Sequence, residues 1–530
     1  MFGAHPMFRI GGGGYQIANS LRFRASNSAY LSRTFGSPTS STVWTFSAWC
    51  KRGTLGSTSY LLGASTTTNF GFNSSNQLVL TLNGTTACTS TAVLRDPSAW
   101  MHIVYQQNGS AQTIYVNNAS VATGTTAAAI FNTAIAHQVG AANTTNFFDG
   151  HLANVYWIDG QALTPSSFGQ TEPTTGVWVP KTYSGTYGTN GFFLEFKDAA
   201  STTTIGYDTS GNSNNFTTSG ISVTSGVTFD QMTDTPTKNY PVWSPIDKGT
   251  VTVSEANMAA VSAADVHAIR ATVGLPATGK WYWEIAVSAL GYGTGLGIAD
   301  NASVNTTGAA SAETRTYQFG SWFNSFNSGV VQYGTSQAIT SATNWSGASQ
   351  PAANDIIMVA VDMDNGSMWV GKNGTWFNSS GTANPATNTD PRWTSLTGTT
   401  WFPYMAGYGS ASPVTCRANF GQRAFSYTPP SGFKALSTAN ITSTSVTTSG
   451  SFTGNAAADG PFVWTNGNPA TLTINGNGVT FGTDADKTAG GFKLRTSSAS
   501  YNASGSNTWT ATAGKRFVQS RKPNNAQVNP

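Results

Sequence analysis

From Gly279 to Leu436 the chain is a succession of short apolar runs, each closed by turn residues. GKWYWEI (279–285), GLGIAD (295–300), IIMVAVDMDNGSMWVGKNGTWFN (356–378), WFPYMAGYG (401–409) and CRANFGQRAFSYTPPSGFKAL (416–436) follow one another in this way. Runs of this length, rich in aromatic and β-branched residues and bounded by Gly, Asn and Asp, read as strands. Asn365-Gly366 and Asn373-Gly374 sharpen the reading, because Asn-Gly accepts the left-handed backbone of tight hairpin turns. The best helical window, NMAAVSAADVHAIRATV (257–273), is followed by Gly274 and Pro276 and reads as strand and loop. The expected fold class is all-β.

Composition agrees. Only 9% of the 530 residues are charged, against about 25% in ordinary globular domains. Aromatic residues make up 12%, which argues against disorder, since disordered chains are charged and poor in aromatics. An all-β protein with short strands and long polar loops fits, its solubility resting on hydroxyls and amides. Such surfaces are common on secreted proteins and virion fibres.

The net charge of +4 is too small to define a nucleic-acid binder. Its distribution says more. No Asp or Glu precedes Asp96, whereas Arg9, Arg22, Arg24, Arg33, Lys51, Arg52 and Arg95 do. Either these are loosely held charges on a solvated face, or the basic amino-terminal region docks on an acidic assembly partner. Cys50, Cys88 and Cys416 are an odd number for a disulfide framework and read as small core residues. No apolar run approaches the roughly 20 residues of a membrane helix, and the start of the chain lacks the apolar core of a signal peptide.

Five regions follow. Residues 1–19 read as a flexible arm that orders on an assembly partner, with Phe8, Arg9 and the run Gly11, Gly12, Gly13 and Gly14 as its candidate contacts. Residues 20–180 form a first sandwich, 181–240 a linker, 241–436 a second sandwich and 437–530 a small carboxy-terminal β domain. The two sandwiches share a device: Asn108-Gly109-Ser110, a short strand and Asn117-Asn118 in the first, Asn365-Gly366-Ser367, a short strand and Asn373-Gly374 in the second. In the first sandwich, Trp44, Phe46 and Ala48 fall on one face of a strand and Trp49 on the other.

The wording of 241–436 resembles the SPRY family, a bent β-sandwich that binds partners through its loops; DMDNGSMWVGKNG (362–374) is the most specific part. Residues 20–180 resemble the concanavalin A-like and laminin-G-like lectin sandwiches, through WMHIV (100–104), IYVNN (114–118), GHLANVY (150–156) and ALTP (162–165). Tandem jelly-roll-type sandwiches, lectin-like then SPRY-like, are therefore expected. Between them, GYDTSGNSNNFTTSG (206–220) and DQMTDTPTKNY (230–240) resemble a junction in phage virion proteins where a lectin-like unit leads into a SPRY-like one.

No catalytic residue is assigned. The histidines His5, His102, His137, His151 and His267 lack metal-ligand spacing. A Ser–His–Asp triad needs no sequence proximity and stays open. Glycosidases need two carboxylates about the scissile bond, and Glu172, Glu195, Glu255, Glu284 and Glu313 are isolated. Glu284 matches a SPRY strand position that implies a structural hydrogen bond or ion pair. Asp362-Met363-Asp364-Asn365-Gly366 lacks the later Glu of a calcium loop and reads as a hairpin turn. Laminin-G-like folds sometimes bind calcium, which keeps Asp149 and Asp159 in view; no metal and no cofactor is assigned. The aromatic loop 319–327, with Trp322, Phe323 and Phe326, and nearby Trp345 are candidate ligand-binding residues, because exposed rings among amides suit sugars; the alternative is that they fill the core.

The resemblance implies a bacteriophage structural protein without enzymatic activity: a tail fibre or receptor-binding fibre, made in the host cytoplasm and displayed on the virion surface. Its expected partners are other virion proteins of tail or capsid, a host surface glycan or protein, and copies of itself, as a trimer; nucleic acid and membrane insertion are not expected. A capsid head fibre or decoration protein is one alternative, a glycan-cleaving enzyme another.

Overall fold

A computed structural model describes residues 14–441 apart from 128–129, 174, 263–266, 290–292, 302–315, 322–329, 335–350, 378–381, 397–398 and 409–412, and beyond 441 four short strands. Residues up to 170 and 178–441 make one unit; 171–177 and the chain beyond 441 make another. The described residues hold strands and four short 3-10 turns, so the all-β, tandem-sandwich expectation holds. The window 257–273 forms two strands, Ala259–Ser262 and His267–Ala271. In the second unit, Thr447–Thr448 pairs with Ala470–Thr471, and Gly478–Phe481 with Asn507–Thr510.

The first sandwich stacks two sheets. One runs Ala119–Gly124, Ala111–Val116, Met101–Asn108, Val43–Arg52, Gly150–Asp159, Ser20–Phe23, Gln231–Met232. The other runs Thr217–Ser219, Tyr30–Thr34, Ala136–Val139, Ser59–Ser65, Thr68–Phe72, Leu78–Leu82, Thr85–Thr89. Alternation along Val43–Arg52 explains the packing: Trp44, Phe46, Ala48 and Cys50 enter the core between the sheets. Trp44 stacks on Trp157 at 4.3 Å between ring centroids. Trp49 faces the other way, yet is buried too, under Tyr15, Ile17 and Trp178. Residues 15 and 17 of the segment read as an arm are thus part of this packing.

The segment 181–240, read as a linker, contributes three strands. Phe192–Leu194 pairs with Gly150–Asp159, Thr217–Ser219 with Tyr30–Thr34, and Gln231–Met232 with Ser20–Phe23. The apolar run 192–196 reads as a strand from sequence; the other two, in Ser-, Thr-, Asn- and Gly-rich sequence, are too short for periodicity to register.

The second sandwich packs Trp243–Lys248, His267–Ala271, Trp401–Tyr408, Gly293–Asp300, Thr316–Ser321, Val330–Gly334 against Val251–Ser254, Ala259–Ser262, Val414–Asn419, Lys280–Ala289, Ile356–Asp362, Ser367–Lys372, Thr375–Trp376. Trp281, Trp283 and Trp369 are buried, as expected of strand tryptophans.

The shared turn device is real and goes further than the sequence revealed. Asn117 (φ +47°) and Asn118 (+73°) turn the first meander, Asn373 (+51°) and Gly374 (+88°) the second. In the first, the Asn117 N–H donates to the His102 carbonyl (2.9 Å) and Asn117 Oδ1 accepts the His102 N–H (2.8 Å). In the second, Asn373 makes the same two bonds with Ile356, both 2.9 Å. Each asparagine caps the first strand of its meander with a side chain that mimics a backbone amide.

Buried charge gathers around the segment that joins the two sandwiches. Asp230 accepts from Arg22 Nε (2.8 Å) and from Arg24 Nε and Nη2 (2.9 and 2.8 Å). Asp234 accepts from Lys51 Nζ (2.8 Å) and Trp100 Nε1 (2.9 Å). Lys51 also donates to Asn239 Oδ1 and the Tyr240 carbonyl, and Asn239 Nδ2 to the Ser98 carbonyl. The residues that made 230–240 stand out in the sequence are therefore its contacts with the first sandwich. Glu255, on the second sandwich, lies 3.7 Å from Arg22 and 2.6 Å from Arg417. Arg22, Arg24, Lys51 and Arg52 are all buried. This corrects both readings of the early basic residues at these four positions: they form neither a solvated face nor a docking surface for another chain. Arg52 is satisfied without an acid, by the Leu94 and Thr54 carbonyls and the Phe72 ring.

One turn at this junction is strained. Glu255, Ala256 and Asn257 are consecutive and all left-handed, at φ +56°, +59° and +61°. Each such non-glycine residue costs on the order of 1 kcal/mol and persists only where its surroundings hold it. Here Asp149 accepts the Ala256 N–H on both oxygens at 3.1 Å, and Asn257 Nδ2 donates to the Gly53 carbonyl. Gly53 is required, because a Cβ there would collide with Asp149 Oδ2 and the Ala256 backbone.

Candidate functional site

Trp322, Phe323, Phe326 and Trp345 lie outside the described residues, as do Phe8, Arg9, Gly11, Gly12 and Gly13. Gly14 is described and exposed. Phe319 sits on Thr316–Ser321, opposite Val331 and Leu296.

One Ser–His pair does form, and its protons are arranged against catalysis. On the buried strand Met101–Asn108, His102 Nε2 lies 2.8 Å from Ser47 Oγ. On the other side of the ring, Trp178 Nε1 donates to Nδ1 at 3.1 Å. An indole nitrogen only donates, so Nδ1 is the acceptor and the ring proton sits on Nε2, facing the serine. A general base needs its lone pair there and an acid on the far nitrogen. Burial also drives the His102 pKa down to about 3.

The carboxylates in view for calcium are filled by N–H and O–H groups. Asp159 accepts from Thr39 N, Ser40 N, Asn132 Nδ2 and Asn190 N, at 2.6–3.1 Å. Asp149 takes the Ala256 N–H, the Thr54 hydroxyl and the Ala25 N–H. Glu284 is structural, as its strand position implied: the Tyr282 hydroxyl and the N–H groups of Ser426 and Tyr427 donate to it at 2.8–2.9 Å. Asp362 receives the N–H groups of Asp364 and Asn365, which makes its motif a hairpin turn. All three cysteines are buried and unpaired, and burial raises the Cys50 and Cys416 thiols to about 12.

The outer face of the first sandwich carries polar groups of a different kind. The strand Gly150–Asp159 bulges between Ala153 and Tyr156, and Asn154 there is left-handed at φ +45°. Its neighbour strand ends at Leu194, paired with Val155, and two residues on Phe196 is left-handed at φ +55°. A left-handed bulky side chain is a conformational outlier; Phe196 accepts it by burying its ring in the core. The kinks leave Glu195 beside the bulge, with Lys197 Nζ at 2.8 Å. Asn154 Nδ2 donates to the Tyr15 hydroxyl at 3.0 Å and reaches that of Tyr156 at 3.5 Å. Tyr187 lies beyond Tyr183, its ring edge-on to that of Tyr183 at 5.3 Å, and Tyr183 in turn is edge-on to Tyr156 at 6.2 Å. Burial raises the pKa of Tyr15, Tyr156 and Tyr187. Tyr15, Tyr187 and Glu195 remain partly open to solvent. Beyond the isolation of Glu195, nothing in the sequence points to this cluster, because a bulge brings together residues that a regular strand would separate.

Residues 25–169 match the family model of the concanavalin A-like lectin/glucanases superfamily. Comparison with curated proteins gave no match. Among solved structures, the SPRY domain of human HERC1 is similar at 14% identity and a TM-score of 0.26, over 33% of this chain and 96% of that one. A protein from Bacteroides ovatus described as carbohydrate binding is similar at 14% identity and a TM-score of 0.30, over 38% of this chain and 58% of that one. The TRIM65 PSpry domain is similar at 9% identity and a TM-score of 0.24, over 34% and 90%.

Proposed function

We propose that this chain is a recognition protein of a bacteriophage particle, a tail fibre or other receptor-binding fibre. Its two sandwiches bind a glycan or protein of the host surface, and its first residues attach it to tail or capsid proteins. It is made in the host cytoplasm, works on the virion surface as a homo-oligomer, a trimer, and catalyses no reaction. The observation that carries the reading is the junction: Arg22, Asp149 and Gly53 of a lectin-like sandwich are clamped to Glu255, Ala256 and Asn257 of a SPRY-like one through buried contacts. A clamp of this kind holds loops of two sandwiches in fixed relation, and rigid scaffolds bearing loops are where binding concentrates. The unsuitable tautomer of the Ser47–His102 pair supports a binding role over a hydrolytic one.

Cryo-electron microscopy of the particle, combined with competition of adsorption by the purified chain, tests this. Density at the tail tip and blocked adsorption are expected. Density on the capsid would make it a head fibre; a chain found on no particle would end the reading.

A further inference from the structure

Lys51 is a buried amine with an amide and a carboxyl group against it. Alternation puts it on the face of its strand that also carries Trp49. Its Nζ donates to Asp234 Oδ2 at 2.8 Å, to Asn239 Oδ1 at 2.7 Å and to the Tyr240 carbonyl at 2.6 Å. The Asn239 amide is held with its oxygen toward Lys51, because Nδ2 donates to the Ser98 carbonyl at 2.7 Å. The Asn239 backbone N–H donates to the Thr438 hydroxyl at 2.9 Å. Asp234 is fixed from its other oxygen by Trp100 Nε1 at 2.9 Å. Lys51 and Asp234 are buried and Asn239 is half-buried. A nitrogen at hydrogen-bond distance from a carbonyl oxygen is about 3–4 Å from the carbonyl carbon. A small rotation brings it to the near-attack separation of about 3–3.5 Å. Burial pushes the Lys51 ammonium below its ordinary pKa and the Asp234 carboxyl above its own. Both shifts favour moving the proton from nitrogen to oxygen, which leaves a nucleophilic amine.

We propose that Lys51 and Asn239 join in an intramolecular isopeptide bond, with Asp234 carrying the protons. Lys51 Nζ passes a proton to Asp234 Oδ2, and its freed lone pair forms a bond to Asn239 Cγ. The Cγ–Nδ2 bond then breaks. The two protons that Nζ loses travel through Asp234 to the departing nitrogen, which leaves as ammonium. Asp234 ends as the carboxylate it began as, and the new amide keeps one hydrogen. No oxidant, metal or outside reagent enters the balance. Burial of Lys51 and Asp234 keeps water, the competing nucleophile, away from Cγ, while the open side of Asn239 lets ammonium out. The bond forms once per chain and turns over no substrate. It ties together residues 188 positions apart and makes permanent the hold of the first sandwich on the segment that leads into the second. Cross-links over long loops stabilise chiefly by restricting the unfolded chain. The inference is independent of where the chain works or what it recognises.

The test is mass spectrometry on the full wild-type chain, folded and then denatured, so that the deciding measurement needs no variant. The intact chain is expected to be lighter than its sequence by one ammonia. Trypsin cuts after Lys and Arg but not after a lysine whose amine is acylated. It should therefore release residues 34–52, uncut at Lys51, joined to residues 239–248. Lys51→Met and Asn239→Ala should each show the full mass of their sequences. Asp234→Asn keeps the shape of the carboxyl group without its charge; folded by circular dichroism, it should also show the full mass. Asn239→Asp should restore the joined peptide with loss of water in place of ammonia. A folded wild-type chain that still has its full sequence mass after days at growth temperature would overturn the proposal. So would loss of ammonia without the joined peptide, the mark of cyclisation at an Asn-Gly site. A joined peptide as abundant in Asp234→Asn as in the wild type would overturn the role given to Asp234.

Discussion

Mild acid should unfold this protein through its histidines. His102 lies in the outer-face packing with its pKa down to about 3, and His137, stacked 3.9 Å from the Phe35 ring, is down to about 4, both by burial. His151 is pushed well below its ordinary value by burial first and then by Lys51 and Arg22. In the unfolded chain each titrates near 6.5. The native state is therefore at full strength above that value and weakens as the pH falls toward the folded pKa values, because only the unfolded chain takes up the protons. Between about pH 7.5 and 5.5 each histidine costs the fold about 1.4 kcal/mol, so the three together cost about 4 kcal/mol, a large part of a typical stability of about 5–15 kcal/mol. Asp149 and Asp234, whose pKa values burial raises, pull the other way and make this an upper figure. The direct assay is proton uptake on unfolding in guanidinium at about pH 5.5, where the histidines take up close to three protons per chain, less what Asp149 and Asp234 release, and the total is about one lower in His137→Phe. An uptake that the variant leaves unchanged would refute the argument.

Replacing Arg22 by Met should cost about 3–5 kcal/mol in chemical denaturation, because Asp230 and Glu255 would lose a buried counter-charge. Glu255 is raised by burial but held below the ordinary carboxyl range by Arg417 and Arg22; it stabilises the fold above about pH 4.5 and that contribution is lost as the pH falls further, so Glu255→Gln should flatten the melting-temperature profile there. Deleting residues 1–13 should leave a folded chain, by circular dichroism, that is absent from purified particles. A reducing-end assay on host polysaccharide should detect no oligosaccharide released by the purified chain.

The strands of both sandwiches were legible because their signals are local: alternation in Val43–Arg52, Asn-Gly at the hairpins, tryptophans at strand centres. The role of 230–240 was visible as an unusual arrangement of Asp, Pro, Asn and Tyr, but its partners were not, since Arg22 and Asp230 are 208 residues apart. Charge asymmetry was legible as a fact and misleading as a surface, because the compensating acids lie in the same chain. The outer-face cluster was not legible at all. It depends on Asn154 and Phe196 taking left-handed conformations, and nothing in a single sequence announces an aromatic residue there.

That separation of 208 residues has a consequence for how the protein is made. Ser20–Phe23 is flanked by Gly150–Asp159 and Gln231–Met232, so the first of the described strands to leave the ribosome is completed by one of the latest of its sandwich. At about 5–20 residues per second, translation supplies Asp230 roughly 10–40 s after Arg22. For that interval Arg22, Arg24 and Lys51 have no counter-ion to be buried with, and the first sandwich cannot close. A nascent chain in this state is a client for chaperones, and an expression clone that stops at residue 180 would hold it there permanently. Recombinant work on either sandwich should carry the gene through Ile441.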